Sequence, residues 1–382
     1  MRIVYCLDEL EAVGGIERVT IAKANALSQV RGNEVYLVVA YDRKEPSLSV
    51  DPAVKIVSLD VRYYDDKQQS KIGRLIYMRK LRKEHSAKMQ KCLDGISPDI
   101  VVSTGMSEKH FLGKLHLTTN PVRIREFHFY KYYRRTLANG FYEKMLARLS
   151  EIVDYRSSIK GFDRIVLLTE QDKNDNWKGR NNVEVIPNPL IALPEKVSTL
   201  NNKVVIAAGR LVNQKNFSSL ISAWKMVSER HSDWELRIFG DGPKRQELEE
   251  QIDGSGLSSC VFLCGFSDDI QKEMCDSSIY VLSSICEGFG MVLVEAMACG
   301  LPVISYNCPC GPKDIIEDGK DGFLVSMNDA KQLAGRINTL IEDEELRRKM
   351  GKEALDASRN YLPVIITGMW MNLFRKLKQE KG

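Results

Sequence analysis

The sequence predicts an α/β protein of two doubly wound domains facing each other across a cleft. Three observations predict it. The chain has 382 residues, 43% of them hydrophobic, which is more than one core usually encloses. Short apolar runs alternate with amphipathic stretches, the rhythm of βα units. That rhythm stops at a proline-bearing stretch and then begins again. The expected boundaries are 1–190 for the first domain and 191–363 for the second. Residues 364–382 are expected to form a helix that packs back on the first domain.

In chain order, "RIVYCL", "EVYLVVA", "DIVVSTG", "VRIREFHF", "DRIVLLT" and "VEVIPNP" read as strands of the first half. Their near-continuous Val, Ile and Leu suit a parallel sheet covered on both faces. Between the first two strands, "GGIERVTIAKANALSQVRG" sets Ile16, Val19, Ala22 and Leu27 on roughly one face of a helix. Pro187, Pro189 and Pro194 then mark an extended linker. The second half restarts with "KVVIAAG", "WELRIFG", "CVFLCG", "IYVLSS", "LPVISY" and "GFLV" as strands. Helices read at "FSSLISAWKMVSERH", "RQELEEQIDGSG" and "MVLVEAMACG". An amphipathic helix follows Pro363, and no repeat of solenoid period appears.

Composition narrows the function classes. At 28% charged residues with this apolar content, the chain is not a disordered tail. No run approaches the ~18 apolar residues of a membrane span. "MRIVYCLDEL" reads as a buried strand rather than a secretory signal, so a cytoplasmic location is expected. Seven of nine cysteines fall within residues 260–310, but all five histidines lie outside that stretch. Neither Cys260/Cys264 nor Cys308/Cys310 has a second matching pair. The expectation is therefore reduced, packed cysteines without zinc or any other metal. Charge is uneven: residues 1–190 carry 32 Lys and Arg against 24 Asp and Glu, and the remainder 23 against 27. The first half should face something anionic.

The residues with chemistry follow strands, where ligands of open sheets sit. In "SSICEGFGMVLVEAMACG", Glu287 stands in a glycine-bearing turn and Glu295 eight residues on, in the next helix. Gly288 and Gly290 allow close backbone approach, and free amides at the helix start suit a phosphate. The two carboxylates suit sugar hydroxyls. Their alternative is a dipole-complementing Glu295 and a solvated Glu287. In "AAGRLVNQKN", Arg210 and Lys215 meet a helix start, where two cations call for an anion such as a diphosphate; their alternative is a pair of exposed basic residues. Gly14 and Gly15 in "AVGGIERV" leave room for backbone amides to crowd an incoming group, without the spacing of a dinucleotide fingerprint or a P-loop. Gly240 and Gly242 in "FGDGP" read as a turn.

Taken in order, "GRLVNQKN", "LRIFGDGP", "VFLCGF", "EGFGMVLVEAMACGLPVIS" and "DGKDGFLV" resemble the donor-binding domain of family 4 retaining glycosyltransferases of the GT-B fold. The likeness spans about residues 204–325 and is looser in the N-terminal half. It implies a nucleotide-sugar-binding second domain and an acceptor-binding first domain. It implies that Arg210 and Lys215 neutralise the donor diphosphate, Glu295 holds the ribose and Glu287 the transferred sugar. It further implies that amides near Gly288, Phe289 and Gly290 approach the donor while Gly14 and Gly15 close the site. His128 in "REFHF" resembles the family's active-site histidine; otherwise it is a half-buried structural histidine. The nucleobase is expected near Gly265 and Phe266. The implied reaction is metal-independent, retaining transfer from a nucleotide diphosphate sugar, with UDP as the expected nucleotide. The implied acceptor is a hydroxyl of a glycan or lipid-linked glycan in cell-surface polysaccharide assembly, and no cofactor is implied.

Residues 62–91 hold ten Lys and Arg against three acids, and "RIREFHFYKYYRR" adds five cations among Phe127, Phe129, Tyr130, Tyr132 and Tyr133. Such a surface fits an anionic membrane, a nucleic acid or an anionic acceptor. Peripheral attachment to the inner membrane face is the favoured expectation, and nucleic acid is not an expected partner. The rivals are a UDP-sugar epimerase, a pyridoxal-dependent phosphorylase, and a nucleic-acid-binding protein. The epimerase would consume donor without acceptor. The phosphorylase would absorb in the near ultraviolet, and the third would bind DNA or RNA with steep salt dependence.

Overall fold

The computed structural model describes residues 1–10, 15–41, 48–63, 71–138 and 140–382. Two parallel sheets organise it. The first holds β1 (Arg2–Leu7), β2 (Glu34–Val39), β3 (Val54–Ser58), β4 (Ile100–Ser103), β5 (Val122–Glu126), β6 (Arg164–Leu167) and β7 (Val183–Val185). Its spatial order is β3-β2-β1-β4-β5-β6-β7. The second holds β8 (Val204–Ala208), β9 (Glu235–Phe239), β10 (Val261–Gly265), β11 (Ile279–Leu282), β12 (Val303–Tyr306) and β13 (Gly322–Val325). Its order is β10-β9-β8-β11-β12-β13. Strand order therefore reverses twice, between β1 and β4 and between β8 and β11. Those reversals are where an open parallel sheet leaves a crevice beyond its carboxyl ends.

Helices cover both sheets. Those of the first half are α1 (Gly15–Ser28), α2 (Lys71–Ile96), α3 (Tyr133–Leu137), α4 (Gly140–Ser158) and α5 (Glu170–Asn176). The second half has α6 (Phe217–Ser228), α7 (Arg245–Gly254), α8 (Ile270–Cys275), α9 (Met291–Ala298) and α10 (Pro312–Ile315). The helices α11 (Ala330–Glu342), α12 (Glu344–Ser358) and α13 (Pro363–Lys381) follow. β1 and β8 are apolar runs buried almost throughout, as central strands must be. Apolar residues surround α9, which is accordingly enclosed by the second core. Ile366, Trp370, Phe374 and Leu377 of α13 recur at helical spacing and enter the core of the first sheet, not the second. Trp370 meets the Tyr5 ring edge-on at 6.4 Å. The pairs Lys378–Asp99 and Lys381–Asp163, both 2.7 Å, fasten the same helix.

Polar contacts hold the domains together. The Asp314 carboxylate of α10 accepts the backbone N–H groups of Glu170 and Gln171 at 2.7 and 3.1 Å, so one domain caps a helix of the other. The Cys310 N–H donates to the Gln171 side chain at 3.1 Å. This docking corrects the expectation of an exposed aromatic cluster after β5. Tyr130 is buried with Cys286 and Cys310 between the domains, and Phe127 stacks on Tyr155 at 5.5 Å. Burial of that aromatic area is satisfied inside the protein, and only Phe129 turns strongly outward. All nine cysteines are free thiols, and in the stretch 260–310 only Cys264 is exposed. Among the described residues, no three metal-ligating side chains converge. Lys67, part of the basic run, lies outside the described residues.

Candidate active site

The second domain builds its part of the site from the loops after β8 and β11, the strands on either side of the reversal. Three hydrogen bonds stitch these loops. Ser283 Oγ donates to the Lys215 carbonyl at 2.7 Å, the Ile285 N–H to the Gln214 carbonyl at 2.8 Å, and Gln214 Nε2 to the Cys286 carbonyl at 2.9 Å. Lys215 closes a single 3-10 turn, and Asn216 behind it adopts φ 50° to start α6. The β8 loop is also pressed from behind. A Cβ at Gly240 would stand 2.0 Å from the Gly209 carbonyl oxygen, and one at Gly242 would stand 2.6 Å from that of Leu211. These two glycines are therefore more than a turn: they permit the backbone approach that positions the Arg210–Lys215 loop.

The result is a meeting of residues 72 positions apart. Lys215 Nζ lies 2.7 Å from Glu287 Oε1, and Ser284 Oγ donates to the same oxygen at 2.6 Å. An anion between Arg210 and Lys215 was expected. In the structure the counter-charge of Lys215 is the Glu287 carboxylate. Arg210 is exposed, with no side-chain hydrogen bond or ion pair among the described residues. Glu295, in α9, is buried, and burial pushes its carboxyl up. The Lys215 ammonium and the Arg18 guanidinium of α1 pull it back down. The charge of Arg18 is thus felt across the crevice from the first domain.

The turn into α9 places its glycines differently. Gly290 caps the helix at φ 96°, a conformation an L side chain rarely adopts. A Cβ at Gly288 would stand 2.0 Å from the carbonyl oxygen of His128, so the domains touch there backbone to backbone. The Phe289 side chain turns into the second core against Tyr361, centroids 5.6 Å apart, leaving only its backbone toward the crevice. Gly15 opens α1 with no atom within 4 Å of a Cβ position, while Gly14 lies outside the described residues. Gly265 ends β10 at φ 75°, and the neighbouring Phe266 is exposed.

The first domain contributes buried charge. Lys23 of α1 pairs with Glu126, the last residue of β5, and both are almost wholly buried. His128 Nε2 stands 3.6 Å from Glu126 Oε1 and has no hydrogen-bond partner. Burial pushes this imidazole down to about 4, so it is neutral at physiological pH. Beside it, Arg125 donates to Ser103 Oγ and the Gly105 carbonyl at 2.6 and 2.8 Å and faces Glu108 at 3.7 Å. Burial and the Asp8 carboxylate push Glu108 up to about 7. Asp8 accepts the N–H groups of Met106 and Ser107 at 2.8 and 3.0 Å, fixing the loop after β4. A cavity opens over this group, lined by Ile16, Thr104, Arg125, His128, Tyr133 and Tyr155. An orphaned imidazole nitrogen on such a lining is suited to a hydroxyl group.

Chemically, the crevice offers an ammonium paired with a carboxylate, a guanidinium without a partner among the described residues, amides at a helix start, and a second, buried carboxylate. Lys23, Arg18, Glu126, Arg125, Glu108 and Asp8 escaped the sequence reading. Pairs such as Lys23 and Glu126 lie 103 positions apart and match no motif of fixed spacing.

Two comparisons place this architecture. The fold is GT-B: two Rossmann-like domains enclosing a crevice. A crystal structure of Staphylococcus aureus TarM, in complex with fondaparinux, α-GlcNAc-glycerol and UDP, superposes over 98% of this chain and 99% of its own. Its TM-score is 0.74 at 16% identity. Anabaena HepE in complex with UDP superposes over 98% of this chain and 100% of its own, with a TM-score of 0.73 at 20% identity. Residues 193–356 match the family described as glycosyl transferases group 1, so the second domain carries a domain of that family. An exopolysaccharide phosphotransferase of Streptomyces coelicolor is 30% identical across all of this chain, which spans 41% of that relative's length. An uncharacterised glycosyltransferase of Haemophilus influenzae is 27% identical over 94% of this chain and 96% of its own length.

Proposed function

We propose that this protein transfers a sugar, with retention at the anomeric carbon, from a nucleotide diphosphate sugar to a hydroxyl of a glycan or lipid-linked glycan. UDP is the nucleotide we assign, on the strength of UDP in the superposing TarM and HepE structures. Cell-surface polysaccharide assembly is the setting, as the name of the Streptomyces relative suggests. The observation that carries the reading is the Lys215–Glu287 pair at the strand reversal, with Glu295 behind it.

In this reading Lys215 keeps its contact with Glu287 and turns a remaining ammonium proton toward the diphosphate. Arg210 folds onto the same phosphates, and the amides at the start of α9 supply further positive potential. Together these meet the charge that develops on the leaving group, and no metal is required. Glu287 accepts both of its donors on Oε1, leaving Oε2 for a hydroxyl of the transferred sugar. Glu295 accepts the ribose hydroxyls. Neutral His128, beside the Lys23–Glu126 pair, offers its unpartnered Nε2 to the sugar from the opposite wall. The acceptor enters over the first domain, whose net positive charge suits an anionic or membrane-borne glycan and peripheral attachment at the cytoplasmic face. Among the described residues no helix is long and apolar enough to cross a membrane.

A panel of nucleotide sugars read by thermal stabilisation tests the donor assignment. UDP-sugars should stabilise the wild type, and Lys215→Ala and Glu295→Ala should abolish both this and transfer while the circular-dichroism spectrum stays native. Full turnover in both variants would remove the assignment.

A further inference from the structure

The helix α4 is amphipathic the wrong way round. Toward the body it presents polar groups. Glu151 is buried and accepts the Arg135 N–H at 3.1 Å, and Asp154 pairs with Lys109 at 2.8 Å and Arg134 at 3.4 Å. Toward solvent it presents Phe141, Tyr142, Met145, Leu149, Ile152 and Val153, with Phe141 86% and Val153 69% exposed. At 100° per residue these side chains fall on one continuous stripe. A surface helix of a globular protein normally buries that stripe, and a large exposed apolar patch marks a binding surface.

Beside the stripe runs a cationic groove. Its walls hold Lys131, Arg135, Arg148, Arg156 and Arg180, and its one acid is Glu151. Arg148, Arg156 and Arg180 have no carboxylate partner among the described residues. The Lys131 ammonium lies 5.2 Å from the centroid of Trp177 and 5.5 Å from that of Tyr155, so the floor is aromatic. Tyr155 also lines the cavity that contains His128, which places the groove one side chain from the crevice.

We infer that α4 and this groove seat the protein on an anionic phospholipid surface, the stripe entering the acyl boundary and the arginines taking lipid phosphates. Charge complementarity chooses this occupant. A second copy docked across a two-fold axis would bring Lys144, Arg148 and Arg156 against their own kind, whereas an anionic bilayer neutralises them. The basic run of α2 expected for this role adds attraction at a distance. Its exposed Arg79, Lys80, Arg82 and Lys83 are accompanied by only one strongly exposed large apolar side chain, Ile76, among its described residues. The inference rests on the membrane-facing part of the proposed function and not on its donor chemistry.

Flotation of the full chain with vesicles tests it. Wild type should float with vesicles of equal parts phosphatidylcholine and phosphatidylglycerol and stay behind with phosphatidylcholine alone. The triple variant Phe141→Ser, Leu149→Ser, Val153→Ser should lose binding about tenfold or more while keeping its stabilisation by UDP. Arg148→Gln with Arg156→Gln should weaken binding and flatten its salt dependence. Phe141→Trp fluorescence should be quenched by brominated acyl chains, a readout that removes no apolar anchor. The inference is overturned if the triple variant floats as wild type, or if neutralising Arg79, Lys80, Arg82 and Lys83 alone abolishes flotation. It is also overturned if sedimentation equilibrium shows a wild-type dimer that the triple variant breaks. Flotation without any UDP stabilisation would leave the docking surface standing and remove the transferase reading instead.

Discussion

Each domain carries an ion pair near the crevice, and the two pairs are kept under different conditions. In the second domain Lys215 and Glu287 retain side-chain exposures of 16% and 9%, on two loops stitched by hydrogen bonds. In the first domain Lys23 and Glu126 retain 2% and 1%, between a helix and a strand end. A pair that keeps some exposure can exchange one partner for a ligand at lower cost, because water and an incoming anion compensate part of the charge. A sealed pair cannot, because removing one member strands the other in low dielectric. The difference teaches that the two walls do different jobs. The second domain can yield a charge to an incoming group, and the first keeps its strand end sealed beside His128.

The sharpest way to break this comparison is Glu126→Ala. It leaves the Lys23 ammonium buried and unpaired and should cost about 3–5 kcal/mol in urea unfolding. Replacing the pair together, Lys23→Met with Glu126→Leu, should recover most of that. Equal, small losses for both would show the pair to be as replaceable as the open one.

Next comes Lys215→Ala. If its pair is the exchangeable one, the loss in unfolding free energy should stay below that of Glu126→Ala, at about 1–3 kcal/mol. Transfer should meanwhile be lost along with donor stabilisation, a fall of at least the 10²–10³-fold in kcat typical of removing one group that stabilises developing negative charge. A large stability loss with intact turnover would reverse the roles of the two walls.

Gly288→Ala probes where the walls touch. The added methyl would meet the His128 carbonyl, and overpacking of this kind costs about 1–3 kcal/mol. Reduced stability together with a raised donor KM is the expected outcome in thermal melts and initial-rate assays.

His128→Gln gives the most specific effect, confined to acid pH and absent at neutrality. In the unfolded chain the imidazole takes its proton near the ordinary 6.5, and in the fold only at about 4. The stability it contributes is therefore complete above about 6.5 and is lost as pH falls from there toward 4. Relative to the variant, wild type should lose about 1.4 kcal/mol for each pH unit in that window. Parallel stability curves for the two proteins would show that the imidazole is not sealed.

Legibility followed the range of the forces. Runs such as "RIVYCL" and "KVVIAAG" announce central strands because their own side chains carry the burial. β3 went unread because "VKIVS" is a largely exposed edge strand with no apolar run to show. The apolar stripe of α4 has helical spacing in the sequence, but that it faces away from any core shows only in the fold. Glu287, Glu295, Arg210 and Lys215 were legible as residues that follow strands. Their pairing was not, nor was the role of Gly240 and Gly242, because both depend on loops that come together only in the sheet.

The buried strands in their order, the restart after the prolines, and the types of side chain set at the strand ends came from the sequence alone, through local periodicity and turn chemistry that act within a few residues. The tertiary structure alone decided which charges face each other, which are sealed from water and which apolar face stays uncovered. Those outcomes depend on distance and desolvation between segments a hundred positions apart, and no local pattern encodes them.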